Sequence, residues 1–408
     1  MARRSFGGRS PHGGSGRRAH VLLPLLAMAV AVIGAGVVAL GSVGRAPEPG
    51  SPPSPAPAAD VAASAPTPDQ QGTAPGEPAA GGTAGEDPLD YDPYSPTAVA
   101  VAMSQRVFPE GGAENIILTR DTPSGDALAA GGLIGLFDTT LLLTDSSELS
   151  TETAAEIDRL GRPNVHILGG DQAISVEIQQ RLEAAGHMVH RHEGPAQADT
   201  AVNIAELHFP SAATAVLIRV PDRAGDAVQA LADSLAASGV SSAREIPILL
   251  TPSHSLAAAT ATHLARSAIG EVVIVGDETQ VGEQVTRELE ALGVAWTRWA
   301  GPDRYATAVA VAEHRGFASL DDAEVALLVE GERETVWPGG FLGAVLAARQ
   351  DGPVLLTAGD ELPAATADYL RRGALDNVPV LCTPGVSAAA CAAANDLADG
   401  GAAGNAGG

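Results

Sequence analysis

The residues best suited to chemistry in this 408-residue chain are Asp303, Arg304 and Tyr305, set between Gly301-Pro302 and the small apolar run ATAVAVAEH. An aspartate here can accept hydrogen bonds from the unpaired amides that open a helix, and its charge suits the positive end of the helix dipole. Arg304 has two readings, an internal ion pair or a fork-shaped donor to phosphate or carboxylate. Tyr305 is either packing or a platform on which a ring could stack. Other candidate chemistry is thinner. His254, between Ser253 and Ser255, lacks a placed acid partner, and no G-x-S-x-G elbow occurs, so a hydrolase is not supported. HMVHRH (187–192) puts His190 and His192 on one strand face, which an exposed strand explains as well as a metal site. Glycine pairs at 131–132, 169–170 and 339–340 could cradle phosphate at helix starts, but none forms a nucleotide-binding fingerprint.

The elements that must position these residues come from a repeat. GPDRYATAVAVA (301–312) matches GPAQADTAVNIA (194–205) without a gap and DPYSPTAVAVA (92–102) with one. TLLLT (140–144), ILLT (248–251) and VLLT (354–357) end at Thr144, Thr251 and Thr357. HILGG (166–170), VIVGD (273–277) and VLCTP (380–384) follow at a constant step. Within a unit, continuous apolar runs alternate with helical periods: helix 96–107, strand NIILTR, helix GDALAAGGLIGLF, strand TLLLT, helix TETAAEIDRLG, strand VHILGG, helix SVEIQQRLEAAG and strand HMVHRH. That alternation predicts an α/β fold of three tandem Rossmann-like modules with mostly parallel sheets, whose ligands bind beyond the carboxyl ends of the strands.

Composition narrows the partners. The formal net charge is −25 and every basic residue is arginine; six arginines and no acid fall within residues 1–45, so the remainder is more acidic still. Such a body repels nucleic acid. The arginine-rich start followed by the uncharged run from Val21 to Gly44 reads as an export signal or membrane anchor, long enough at about 36 Å to cross a bilayer as a helix. Residues 46–88, rich in Pro, Ala and Gly, read as an extended stalk, and 400–408 as a flexible tail. Cys382 and Cys391 are either a disulfide of an oxidising compartment or a buried apolar pair.

Arg298 to Ala308 (RWAGPDRYATA), with SGDALAA (124–130), PILLT (247–251) and ILGGDQAIS (167–175), resembles the cell wall-binding repeat 2 family. The likeness covers roughly residues 90–398 and is sharpest in R-x-x-G-x-D-R-Y-x-T-A of the third repeat. It implies three modules packed with pseudo-threefold symmetry, attached non-covalently to an anionic wall polymer through arginines and the Pro-Ile-Leu-Leu segment. The other repeats depart from the pattern. Repeat 2 keeps Arg191, Gly194 and Thr200 but has Ala196, Gln197 and Ala198 for Asp, Arg and Tyr; repeat 1 keeps Asp92, Tyr94 and Thr97 but has Pro93. The Asp-Ala pair is read at Asp126 and Asp226, and the third repeat has WPGGFLGA instead.

The expected organisation is a signal or anchor (1–45), stalk (46–88), repeats at 89–190, 191–297 and 298–399, and the tail. The expected function is non-catalytic, extracytoplasmic binding of a cell-wall polymer, with the membrane engaged through the N-terminal helix. The candidate polymer-binding residues are Arg298, Asp303, Arg304, Tyr305, Arg191, Pro247, Thr251 and Thr357. EGERE (330–334) is read first as a solvated loop and second as a calcium bridge to an anionic polymer; no other cofactor is expected. The alternatives are a surface protein engaging a wall hydrolase or another protein, and an enzyme acting on a nucleotide or sugar phosphate.

Overall fold

The computed structural model describes residues 92, 95–122, 125–137, 139–161, 163–221, 227–333, 337–372 and 378–399. The N-terminal signal or anchor, the stalk, the tail, Pro93, Tyr94 and Asp226 lie outside them. Among the described residues, no helix is long and apolar enough to cross a membrane.

One order of elements occurs three times, the third time without the last strand among the described residues. The first module runs α1 (Pro96–Val107), β1 (Asn115–Arg120), the short α2 (Gly125–Leu128), α3 (Ala130–Phe137), β2 (Thr140–Thr144), α4 (Thr151–Arg159), β3 (Asn164–Leu168), α5 (Val176–Ala184) and β4 (Val189–His192). The second runs α6 (Gln197–His208), β5 (Thr214–Arg219), α7 (Ala227–Arg244), β6 (Ile248–Thr251), α8 (Ala258–Leu264), β7 (Glu271–Val275), α9 (Glu283–Ala291) and β8 (Ala295–Trp299). The third runs α10 (Arg304–His314), β9 (Ala326–Glu330), α11 (Trp337–Arg349), β10 (Val354–Thr357), α12 (Ala364–Arg371), β11 (Val380–Cys382) and α13 (Ala388–Ala398).

Strand order is β2-β1-β3-β4, β6-β5-β7-β8 and β10-β9-β11, with every pairing parallel. Parallel strands need crossover helices, which cover both sheet faces, so the central strands read as unbroken apolar runs. Ile116, Ile117 and Leu118 of β1 and Val216, Leu217 and Ile218 of β5 are fully buried. A backbone carbonyl left unpaired at the edge of the sheet in β2, β6 and β10 is answered by a threonine in the next helix. Thr260 donates to Leu250 O at 2.7 Å and Thr366 to Leu356 O at 2.8 Å, and Thr153 donates to Leu143 O. Helix starts follow their sequence signals: Ser95 accepts from Ala98 N with Pro96 in the first turn, and Ser175 and Ser387 cap α5 and α13.

The modules pack as a closed ring. Helices α3, α7 and α11 meet at the centre, and the first helix of each module sits on the preceding module's first crossover, between its first two strands: α6 on α2, α10 on α7 and α1 on α11. One apolar core runs through all three, from Ile116 and Leu133 to Leu235, Phe341 and Val345. Close approach at the centre depends on small residues. A Cβ on Gly131 would lie 2.8 Å from Ser238 Cα, and one on Gly340 would lie 2.8 Å from Leu235 Cδ2. The glycine pairs at 131–132 and 339–340 therefore serve helix packing; side chains of the neighbouring module fill the space a phosphate would need. Cys382 and Cys391 are joined by a disulfide, tying β11 to α13.

Candidate binding surface at the carboxyl ends of the strands

Asp303, Arg304 and Tyr305 start α10 where it leaves the second module and enters the third. Asp303 adopts extended backbone and its carboxylate accepts from Ala306 N at 2.7 Å, the cap its position suggested. Arg304 then bridges two modules. Its Nε donates to Gln229 Oε1 of α7 at 3.3 Å, and its Nη1 donates to Gly331 O beyond β9 at 2.8 Å and lies 3.8 Å from Glu332 Oε2. Tyr305 donates its hydroxyl to Glu332; burial and that acidic partner push its ionisation well above the ordinary tyrosine range. At the equivalent place between the first and second modules, Gln197 occupies the space left by Gly125, where a Cβ would lie 2.8 Å from Gln197 Cγ. The third repeat's signature is thus a helix start fused to a junction brace.

Arg191 and Arg298 stand at matching points on β4 and β8, in the first and second sheets, and make matching bonds. Arg191 Nη1 donates to Gly169 O and Ile174 O, each at 2.9 Å, and its Nε donates to Gln179 Oε1 at 2.9 Å. Arg298 donates from Nη1 to Gly276 O and from Nη2 to Val281 O, each at 2.8 Å. Both fix the loop that follows the third strand of their sheet. Each loop begins at a glycine with positive φ, Gly169 at 98° and Gly276 at 109°, a conformation other residues adopt only with strain.

The threonines also have internal partners. Thr251 donates to Ser255 O at 2.8 Å and accepts from Ala257 N at 3.0 Å; Thr144 makes the same pair of bonds with Glu148 O and Ser150 N. Thr357 is fully buried beside Glu330 of β9. Pro247 is brought to none of these residues: it is buried at the amino end of β6, where its carbonyl accepts from Val216 N at 2.9 Å. His254 is exposed on the loop after β6.

Sequence reasoning missed three features of this surface. The partner of Asp126 is Asp233 rather than Asp226: a Cβ on Gly169 would meet Asp126 Oδ2 at 3.0 Å, and one on Gly276 would meet Asp233 Oδ2 at 3.3 Å. Asp233 is 1% exposed and accepts from Gln229 Nε2 at 2.9 Å. Burial pushes its carboxyl up to about 7 despite Gln229, Arg219 and Arg304 nearby. Second, the register pairs Arg120 with Thr144, Arg219 with Thr251 and Glu330 with Thr357, so the charge at one repeated place inverts in the third module. Third, Glu330 is held inside the EGERE loop, 3% exposed. Its carboxylate accepts from Glu332 N at 2.9 Å, Arg333 N at 2.7 Å and Gly359 N at 3.2 Å. That acid is engaged by backbone amides, while Glu332 remains exposed. On β4, His190 is exposed but His192 is buried, so the strand face is not the solvent face the sequence reading entertained.

The family described as Cell wall binding domain 2 (CWB2) matches residues 94–179, 191–286 and 298–391. The amidase LytC of Bacillus subtilis, an N-acetylmuramoyl-L-alanine amidase, is 24% identical over 289 residues, covering 71% of this chain and 54% of that protein. An uncharacterised protein of Pyrococcus abyssi is 26% identical over 208 residues, covering 50% of this chain and 59% of its own. Among solved structures, Cwp8 from Clostridium difficile superposes with a TM-score of 0.64 at 24% identity, over 75% of this chain and 51% of that one. Cwp6 from the same organism gives 0.63 at 20% identity, over 74% and 46%. The chain thus spans about half the length of the relatives it matches, and the structural likeness bears on fold. The family's pattern, by contrast, falls once on each of the three sheets, and the chain belongs to the cell wall binding domain 2 family.

Proposed function

We propose that this chain is a non-catalytic, extracytoplasmic protein that holds an anionic cell-wall polymer non-covalently at the carboxyl-end loops of its three modules. The observation that carries the reading is the repetition of one loop architecture on parallel sheets. Arg191 and Arg298 brace the same loop in two modules, and Arg304 braces the junction leading to the third. Three similar loop sets on one rigid body let weak contacts add through effective concentration. A chain with net charge −25, and a body more acidic still, repels an anionic polymer at long range, so attraction has to be local, from arginine-lined recesses or from a divalent ion such as calcium beside Glu332. In this reading residues 1–45 export or anchor the protein, 46–88 span part of the envelope, and Arg191, Pro247, Thr251, Arg298, Asp303, Arg304, Tyr305 and Thr357 shape or line the binding loops. Pro247 does so only through the strand it starts.

The test is Arg304→Gln, which installs the residue the second repeat carries at the same place, with circular dichroism and melting compared with the parent because Arg304 also braces the junction. Wall binding at low salt is expected to fall severalfold, with a shallower salt dependence. Undiminished binding with an unchanged salt slope would remove Arg304 from the polymer contact.

A further inference from the structure

The densest group of ligating side chains outside these loops lies where the first and second modules meet. His166 comes from β3, His190 and His192 from β4, and His208 ends α6 of the next module. His166 is 5% exposed, His192 is 1% exposed and His208 is half-buried. Phe137 of α3 stacks on His166 with ring centres 4.5 Å apart and meets His208 edge-on at 5.1 Å. His166 Nδ1 and His192 Nε2 are 3.0 Å apart, and one ring nitrogen from each of the three histidines lies within 4.8 Å of the others. A tetrahedral zinc bound at about 2.0–2.1 Å sets its ligand nitrogens roughly 3.3 Å apart. One edge of that figure is nearly formed, and the remaining pairs, within 4.8 Å, require the rings to turn toward a common centre.

The polar accounting points the same way. His166 Nε2 lies 3.4 Å from Asn115 Oδ1, which favours a proton on Nε2 and a lone pair on Nδ1. Without a metal, His192 must donate from Nε2 to that lone pair. Its Nδ1 then carries no proton to give the neighbouring Asn203 Oδ1, which is buried without a donor, and buried His208 Nε2 has no hydrogen-bond partner among the described residues. A bound cation resolves these positions together. His192 shifts its proton to Nδ1, on the side of neighbouring Asn203, and turns Nε2 to the metal, while His208 supplies Nε2.

The fold does not demand these histidines. At the matching junction between the second and third modules, Val273, Trp299 and Arg315 take the places of His166, His192 and His208. There Trp299 stacks on His314 at 5.0 Å and carries the Arg244 guanidinium at 5.1 Å from its ring centre. We propose that His166, His192 and His208 form a site for a divalent transition-metal cation of the zinc class, which clasps the first helix of the second module to the sheet of the first. Exposed His190, stacked on His166 at 5.1 Å, lies on the open side, where it or water completes four-coordination.

The test uses the untagged full chain, stripped of metal with a chelator and titrated with Zn2+ by calorimetry and with Co2+ by visible absorption. One saturable equivalent, a tetrahedral cobalt spectrum and a zinc-dependent rise in melting temperature are expected. His208→Gln, at a half-buried helix end, is the deciding variant because replacing buried His192 risks the fold; it is expected to weaken zinc at least 100-fold with unchanged circular dichroism. His314→Gln, at the matching junction, is expected to bind as the parent does. No saturable equivalent in the parent, or one that survives His208→Gln, would overturn the assignment.

Discussion

Replacing Gly131 by alanine tests the packing on which the three-module ring rests. On an exposed helix the change is favourable by about 1 kcal/mol, because alanine loses less backbone freedom. Here the new methyl carbon would lie 2.8 Å from Ser238 Cα, against roughly 3.5–4.0 Å for a comfortable carbon contact. The Ser238 side chain lies nearer still, and behind it the Ser238 Cα of α7 cannot turn away, so α3 and α7 must separate. Neighbouring positions resist: Gly135 faces Ser242 with a Cβ-to-Cα distance of 2.9 Å, and Ser234 donates to Leu128 O at 2.8 Å. Overpacking of this kind costs about 1–3 kcal/mol, leaving a net loss of up to about 2 kcal/mol once the propensity gain is set against it. For a folded unit of this size that is a fall of a few degrees in melting temperature. Thermal and urea unfolding followed by circular dichroism read the change, and Ser238→Gly in the same chain should recover about 1 kcal/mol as a coupling energy. A Gly131→Ala protein more stable than the parent, keeping the propensity gain, would refute the close helix approach.

Other consequences are as direct. Asp233 has its folded pKa raised from 3.8 to about 7, so the native state holds its proton more tightly than the unfolded chain. Its stabilising contribution is complete below about pH 4 and is lost as pH rises through 7, a difference of at most about 4 kcal/mol. Asp233→Asn should therefore match the parent near pH 4 and exceed it at pH 8; a variant weaker than the parent at pH 8 would contradict the sign. Arg298→Leu removes the donor from two loop carbonyls and should cost about 1–3 kcal/mol, with faster amide exchange in residues 276–281. Unaltered exchange there would mean the brace is dispensable. Reducing the Cys382–Cys391 bridge frees a loop of separation 9 and should cost roughly 3 kcal/mol, read as earlier melting under reductant. Melting indifferent to reductant would show that β11 and α13 hold without it.

Much of this architecture is legible in the sequence because its determinants are local. The helix Pro96–Val107 and strands such as NIILTR and TLLLT follow from period, capping and turn residues within a few positions. The site is less legible, because its meaning depends on which modules touch. Arg304 reads equally well as ligand donor or brace until Gln229 and Gly331 are seen beside it, the first of them 75 positions away. Asp233 lies at the repeat step from Asp126, but the Asp-Ala pair itself recurs seven residues earlier, at Asp226. His192 looked like one of two exposed strand histidines because nothing local shows that α6 of the next module covers it. The glycine pairs at 131–132 and 339–340 look like phosphate cradles until α7 is placed against them.

The most direct measurement is co-sedimentation of the purified chain with isolated wall sacculi, comparing intact sacculi with sacculi stripped of secondary polymers, with and without calcium. The account predicts that the protein pellets with intact sacculi and stays in solution when the polymer is removed. Failure to pellet under every condition, or equal pelleting with stripped walls, would contradict binding to a wall polymer.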